Sequence, residues 1–416
     1  MFFDERVGNI AQEVNQKCVL IVIFVNRKDR AVMLTRYELK LPKAVYSGEN
    51  VIENLTKIVS GLKKVALFTD KGMLKLGLAD GAIAAIKASG AEVEIFSDLK
   101  PEPTYSQVQE VVDAYKESKA EMIVGLGGGS VMDATKLTAL LADGAVTVHQ
   151  LLDNPLAAKK CVPTVMIPTT AGTGAEATPN AIVAVPEKEL KVGIVNPDMI
   201  PDAVILDANM IKNLPRKIAA ATGIDALAHA IECFTSNKAN PFSDTFALQA
   251  LDIIVNNLEK ACDDPNAIEE KTKMLIAAFY GGIAITASGT TGVHALSYPL
   301  GGKYHIAHGV SNAILLVPVM KFNEPVVRDR FAMAYDRVCH DEKKLTTVEE
   351  KSAWMINKMD SMVKHLDIPT SLQSFGVPKE DLDGLVNAGM QVTRLLVNNM
   401  REITAEDARN IYLQIM

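Results

Sequence analysis

The sequence predicts two halves of different class: an α/β half built on a parallel sheet, then an all-helical half. Three observations carry this. Between about residues 63 and 210, short β-branched runs alternate with helical stretches, the pattern of a parallel sheet with helices on both faces. Two of those runs end in glycine-rich loops. After about 212 the strand-like runs nearly vanish and long segments of period 3.6 take over.

The elements follow in order. "KKVALFTD" (63–70) reads as a strand, followed by a helix near 74–89. "AEVEIFSD" (91–98) is a second strand and 103–118 a second helix. "AEMIVGLGGGS" (120–130) is a strand running into a glycine loop, with a helix over 131–142, and "CVPTVMIPTT" (161–170) is a fourth strand. Helices are expected over 215–235, 243–262, 267–286, 346–365 and 379–399. No Pro/Ser-rich linker separates the halves, so the boundary near 210–214 reads as a packed hinge with a ligand cleft beside it.

Composition narrows the function. The chain has 416 residues, 48% hydrophobic and 22% charged, with a net charge of −7, which suits a globular protein with room for two or three domains. No basic cluster is long enough to follow a phosphate backbone, which argues against nucleic acid. Five scattered cysteines without CxxC spacing argue for a reducing compartment and against a thiolate metal site. The run "CVLIVIFV" (18–25) is too short to span a bilayer, and the acidic residues before it make a poor secretory signal. A cytoplasmic protein is expected, with no membrane partner.

"GLGGGS" (125–130) follows an apolar strand and opens a helix. Its glycines let backbone approach a pyrophosphate at a helix N-terminus. The last position of G-x-G-x-x-G is Ser130, so on its own the loop reads equally well as a tight turn. "PTTAGTGAEAT" (168–178) adds hydroxyls and two more glycines after another buried run, and the pair favours a nucleotide crevice. Asp70 ends the first strand, where a carboxylate either binds ribose hydroxyls or caps the next helix.

"GIDALAHAIE" (223–232) sets Asp225 and His229 four apart in an otherwise apolar helical run. Residues so spaced are stacked neighbours, and a buried carboxylate needs a partner or a metal. An Asp–His hydrogen bond in a core is the plain reading. Three of the seven histidines, His294, His305 and His308, fall within 294–308. His294 and His308 flank "GGK" (301–303), expected to be the turn that folds two helices together. Three imidazoles and one carboxylate without thiolate suit Fe(II) or Zn(II).

At this point the chain resembles the iron-containing (type III) alcohol dehydrogenases, above all the branch with lactaldehyde reductase and propanediol dehydrogenase. The resemblance covers roughly 34–416 and rests on "GGGSVMDATK" (127–136), "PTTAGTGAEAT", "GIDALAHAIE" and "HALSYPLGGKYHIAHG" (294–309), which match in order and spacing. It implies an α/β N-terminal dinucleotide-binding domain (33–212) and an all-α C-terminal metal-binding domain (213–416), with the cleft between them. It places metal ligands on Asp225, His229, His294 and His308. It places cofactor contacts on Asp70, Gly128, Gly129, Ser130, Asp133, Thr169, Thr170, Thr173, Thr178 and Lys191. The cofactors implied are NAD and Fe(II), with Zn(II) or another divalent ion as alternatives. The implied reaction passes hydride between NAD(H) and a small primary alcohol or diol and its aldehyde, in a homodimer or larger homo-oligomer.

The chain departs from the pattern twice. Several members carry a proton-relaying histidine four residues after the third ligand, where this chain has Tyr298; His305 is then the expected carrier. Members begin near "MLTRYELKLPKAVYSG" (33–48), so residues 1–32 have no counterpart and are expected to be dispensable. Rivals on the same fold are glycerol dehydrogenase-like and maleylacetate reductase-like enzymes. A dehydroquinate-synthase-like lyase would need several basic residues, and only Lys303 stands near the metal motifs. A catalytically silent assembly protein would be expected to lose ligands, and all four are present.

Overall fold

The computed structural model of the protein describes residues 37–188 and 190–416; the expectation for residues 1–32 lies outside them. Six strands form one sheet in which every pairing is parallel: β1 (Ala44–Gly48), β2 (Lys64–Phe68), β3 (Glu92–Phe96), β4 (Met122–Gly127), β5 (Thr164–Pro168) and β8 (Ala203–Asp207), in the order β1-β8-β5-β4-β2-β3. The central strands β4, β5 and β8 are buried along their whole length. That is why β4 and β5 read as continuous apolar runs rather than alternating ones. A separate antiparallel hairpin is formed by β6 (Asn180–Val185) and β7 (Leu190–Val195).

The chain runs from β2 outward to β3 and then returns to lay β4 on the other side of β2. The point where the order reverses therefore lies between β2 and β4, and nucleotides bind outside the strand C-termini at such a point. Asp70 follows β2, and Gly128–Ser130 follows β4. β5 pairs with β4 in register Gly127↔Pro168, so the second glycine loop leaves the sheet beside the first.

The expected helix near 74–89 is two helices, α1 (Lys71–Lys75) and α2 (Asp80–Ala88), broken where Gly77 takes φ +70. α3 (Tyr105–Ser118) starts behind a Thr104–Gln107 capping box, and α4 (Gly129–Leu141) begins inside the glycine loop. In the helical half, α5 (Arg216–Phe234), α6 (Pro241–Asp263), α7 (Ile268–Ser288), α8 (Gly292–Tyr304), α9 (His308–Val338) and α10 (Val348–His365) follow one another. The expected 379–399 helix is a 3-10 turn, then α11 (Leu382–Met390) and α12 (Thr393–Leu396). Sequence periodicity missed β1, the β6–β7 hairpin and β8.

The largest buried apolar cluster runs without a break from Met132, Met166 and Val204 of the sheet half into Leu227, Leu275 and Leu316 of the helices. The two halves thus share one core.

Candidate active site and metal centre

Three helices bring four donors to one point. α5 carries Asp225 and His229 one turn apart, both buried. His294 lies in the first turn of α8, and His308 is the first residue of α9. The Nε2 atoms of His229, His294 and His308 stand 4.0, 3.7 and 3.6 Å from Asp225 Oδ1. One donor atom from each of the four residues lies within 4.8 Å of the others. Tetrahedral donors around a divalent ion at ordinary bond lengths stand roughly 3.4 Å apart, so the cage fits one ion after a small contraction.

Neighbouring groups orient the donors. Glu232 is completely buried; its Oε1 accepts from Thr291 N (3.1 Å), Thr291 Oγ1 (2.7 Å) and Val293 N (2.7 Å), and so caps α8. Its Oε2 accepts from His294 Nδ1, which turns His294 Nε2 toward the cage. His229 Nδ1 faces the Gly172 carbonyl at 3.3 Å. Asn312, one turn along α9 from His308, donates from Nδ2 to Asp225 Oδ1 (2.6 Å), with His294 Nε2 and His308 Nε2 at 3.1 and 3.2 Å. Three acceptors crowd one amide nitrogen while Asn312 Oδ1 is buried without a partner. A centre so rich in lone pairs is what a bound cation satisfies.

The cage opens into a cleft of about 510 Å³. Gly129, Ser130, Asp133, Thr173, Thr178 and Lys191 line it together with His229, His294, His308 and Tyr298. The two glycine loops are interlocked. Thr169 N donates to Gly127 O at 3.0 Å, and a Cβ on Gly129 would stand 3.1 Å from Thr173 Cγ2. Thr170 lies against Gly128, 3.8 Å from where a Cβ would be. Ser130 Oγ accepts from Glu102 N at 2.9 Å, and Lys191 pairs with Glu102 at 2.6 Å. Gly128, Thr169 and Thr170 back this wall without lining it, and Asp225 lies behind the histidines.

Family models match both halves: iron-containing alcohol dehydrogenase over residues 42–208, and the C-terminal part of the Fe-containing alcohol dehydrogenase family over 219–416. Long-chain-alcohol dehydrogenase 1 of Geobacillus thermodenitrificans is 33% identical over 377 residues, 89% of this chain and 94% of that protein. The chain belongs to the iron-containing alcohol dehydrogenase family. Lactaldehyde reductase of Escherichia coli is 31% identical over 89% of this chain and 97% of its own. The crystal structure of sulfoacetaldehyde reductase from Bifidobacterium kashiwanohense in complex with NAD+ superposes with a TM-score of 0.82 at 26% identity, covering 92% of this chain and 99% of that one.

Electrostatics in this dehydrogenase leave two of the three histidines ready for a metal. Burial pushes the His308 pKa down to about 3 and lowers that of His229, leaving both imidazoles neutral with lone pairs for a cation. Burial also opposes charge on His294, but Glu232 and Asp225 outweigh it and raise that pKa to about 9. Burial would raise the Asp225 pKa, yet the three imidazoles hold it well below the usual range. At the cleft wall burial raises Asp133 to about 6, and behind it burial raises Glu176 to about 7 and lowers Lys136 to about 8. Lys136 Nζ donates to Thr178 Oγ1 (3.1 Å) and Asn180 O (2.6 Å), whereas Glu176 Oε1 has no partner.

Two expectations change, and at Asp70 one of the two open readings is seen. The turn between the ligand-bearing helices is not at Gly301–Lys303: α8 continues through them to Tyr304, and the chain reverses at His305, in the left-handed region with φ 54. His305 is exposed there and lies outside the cleft lining, so its place does not suit a proton carrier, while buried Tyr298 lines the cleft. Asp70 caps α1, with Oδ1 accepting from Gly72 N (2.7 Å) and Met73 N (3.0 Å), and Lys71 is engaged by Asp98.

Glu232 escaped the sequence reading although it completes an i, i+4, i+7 face with Asp225 and His229, a signal available in "GIDALAHAIE". Asn312 had the weaker signal of standing four after His308. The sequence also showed only Lys303 near the metal motifs, but folding adds Lys191 and Arg394 to the cleft wall from distant segments and Lys238 from the loop just after α5.

Proposed function

We propose that this chain is an NAD-dependent alcohol dehydrogenase interconverting a small primary alcohol or diol and its aldehyde, with Fe(II), or Zn(II) or another divalent ion, held by Asp225, His229, His294 and His308. The observation that carries the reading is one cleft bounded by both the four-donor cage and the glycine loops at the sheet's reversal point. When bound, the cation polarises the alcohol or carbonyl oxygen and the nicotinamide takes or gives hydride.

This chain's residues do the rest. The backbone amides opening α4 at Gly129 and Ser130 would hold a pyrophosphate. Thr173 and Thr178 supply hydroxyls at the wall, and buried Asp225 with neutral His229 and His308 supplies the lone pairs. Tyr298, whose ring is 6.2 Å from that of His308, is the cleft group placed to pass a proton outward. Tyr298→Phe should therefore slow turnover with metal retained, and His305→Ala should matter less; the reverse order would return the role to His305.

NAD is favoured over NADP because Asp70 and Asp98 end neighbouring strands and would repel a 2′-phosphate, with Lys71 already paired. A cytoplasmic setting is supported by the free thiols of Cys161, Cys233, Cys262 and Cys339. Among the described residues no single helix is long and apolar enough to cross a membrane. A homo-oligomer is supported by edge strand β1, which leaves Val45 exposed beside exposed Leu41. The test is anaerobic reconstitution with Fe(II), Zn(II), Mn(II) or Ni(II), followed by turnover of short alcohols, diols and aldehydes with NAD and NADP. Turnover that depends on metal and favours NAD is expected; metal-independent turnover, or none with any metal, refutes the reading.

A further inference from the structure

The cleft carries more positive charge than its own carboxylates neutralise. Lys191 is paired with Glu102 at 2.6 Å, and Asp133 faces Lys136 at 3.8 Å. Lys238 and Arg394 also line the cleft, and among the described residues neither has a carboxylate within ion-pair distance. They come from different elements held together by backbone: Asn237 N donates to Asn398 O at 2.7 Å, and Asn237 Nδ2 to Asn399 O at 2.9 Å. This ties the loop after α5, with Lys238, to α12, which carries Arg394, and to Asn398 just beyond it.

Arg394 is directed by packing. Its neighbour Leu395 packs with Tyr298 in one small buried cluster. Its guanidinium lies over the backbone of β7, where a Cβ on Gly193 would fall 2.6 Å from Nη2. Gly193 has an ordinary strand conformation, so its missing side chain serves space rather than backbone freedom. The cation is thus placed beside Tyr298, which itself stands next to the cage ligand His308.

We propose that Arg394 and Lys238 bind an anionic group — carboxylate, sulfonate or phosphate — at the far end of the alcohol or aldehyde whose reacting oxygen faces the cage. Arginine meets such a group with a planar fork of donors and lysine with a point charge, and hydrogen bonds between charged partners are about twice as strong as neutral ones. A cationic head group would meet like charge. The proposal rests on the alcohol dehydrogenase reading above and deepens it by naming the substrate class.

The test compares kcat/KM of the metal-loaded enzyme with NADH on three pairs: succinate semialdehyde against butanal, sulfoacetaldehyde against propanal, and glyceraldehyde phosphate against glyceraldehyde. At least one anionic member should be preferred by roughly tenfold or more, about 1.4 kcal/mol, and the winning pair identifies the anion. Arg394→Gln and Lys238→Gln should each cut that ratio several-fold, mainly through KM. Preference for the neutral member in all three pairs, or ratios unmoved by both substitutions, overturns the proposal. A binding readout decides it separately from turnover: butanoate should raise the Tm of the wild-type holoenzyme more than butanamide does, and less so in the variants. If no aldehyde is reduced but butanoate still stabilises selectively, the dehydrogenase reading falls and the anion site stands. Equal shifts from butanoate and butanamide overturn the site.

Discussion

The metal cage and the cofactor crevice share one cleft but are built from different parts. The cage is made of side chains: four donors on three helices, with His294 aimed by Glu232, His229 by the Gly172 carbonyl, and Asn312 bridging the donor atoms. The crevice is made mostly of backbone: glycines, amides at a helix start and two interlocked loops. A site of side chains fails when one is removed, whereas a site of backbone degrades by degrees. Single substitutions should therefore produce sharply different effects at the two ends of the cleft.

The largest effect is expected at the cage. His229→Ala, His294→Ala or His308→Ala should each abolish stoichiometric metal and lower turnover by about a thousandfold or more, with a soluble fold. Metal analysis of the purified variants checks this, and full occupancy in all three would break the comparison at its base.

A second test concerns the buried charges below the crevice. Glu176 has a pKa of about 7 in the fold against 4.5 for the free group. Between those values the native chain keeps a proton that the unfolded chain has released, so stability falls as pH rises through that window. Glu176→Gln should flatten that part of the profile, by on the order of 3 kcal/mol across it. Denaturant unfolding at a series of pH values measures it, and an identical slope in both proteins would show Glu176 ionised throughout.

Next comes the support of the cage. Glu232→Gln keeps the shape but weakens the hold on His294 Nδ1, and loss of such a partner typically costs ten- to a hundredfold in metal affinity. Competition with a chelator reads this directly; unchanged affinity would confine Glu232 to capping α8.

The smallest effect belongs to the crevice. Asp70→Gly should lower stability by only a few tenths of a kcal/mol, because glycine is itself a fair N-cap. It should still raise kcat/KM with NADP relative to NAD. If the preference stays put, Asp70 serves α1 alone.

What could be read in advance follows the same division. Asp225, His229, His294 and His308 carry distinctive chemistry at helical spacing, and all four meet. The central strands β4 and β5 announced themselves as apolar runs because both faces are covered, whereas β8, equally buried, was missed. The edge strand β1 alternates burial over only five residues, and the hairpin carrying Lys191 lies apart from the main sheet, so neither gave a strong period. The break at His305 was hidden because Gly301 and Gly302 look like better turn formers. Lys238 and Arg394 were invisible as a pair, since 156 positions separate them and only the pairing of 236–237 with 398–399 brings them together.

The contact between His229 Nδ1 and the Gly172 carbonyl has a thermodynamic consequence. Gly172 belongs to the second glycine loop, proposed above to border the nucleotide, and a Cβ there would collide with the Thr222 backbone of α5, so this stretch of chain has little room to yield. Dinucleotide and ion therefore bear on a common strip of main chain. Any factor by which the resident ion tightens the dinucleotide is the factor by which the dinucleotide slows escape of the ion at equilibrium, since coupling between two sites is reciprocal. An enzyme saturated with dinucleotide should surrender its ion to a chelator less readily than the bare protein does.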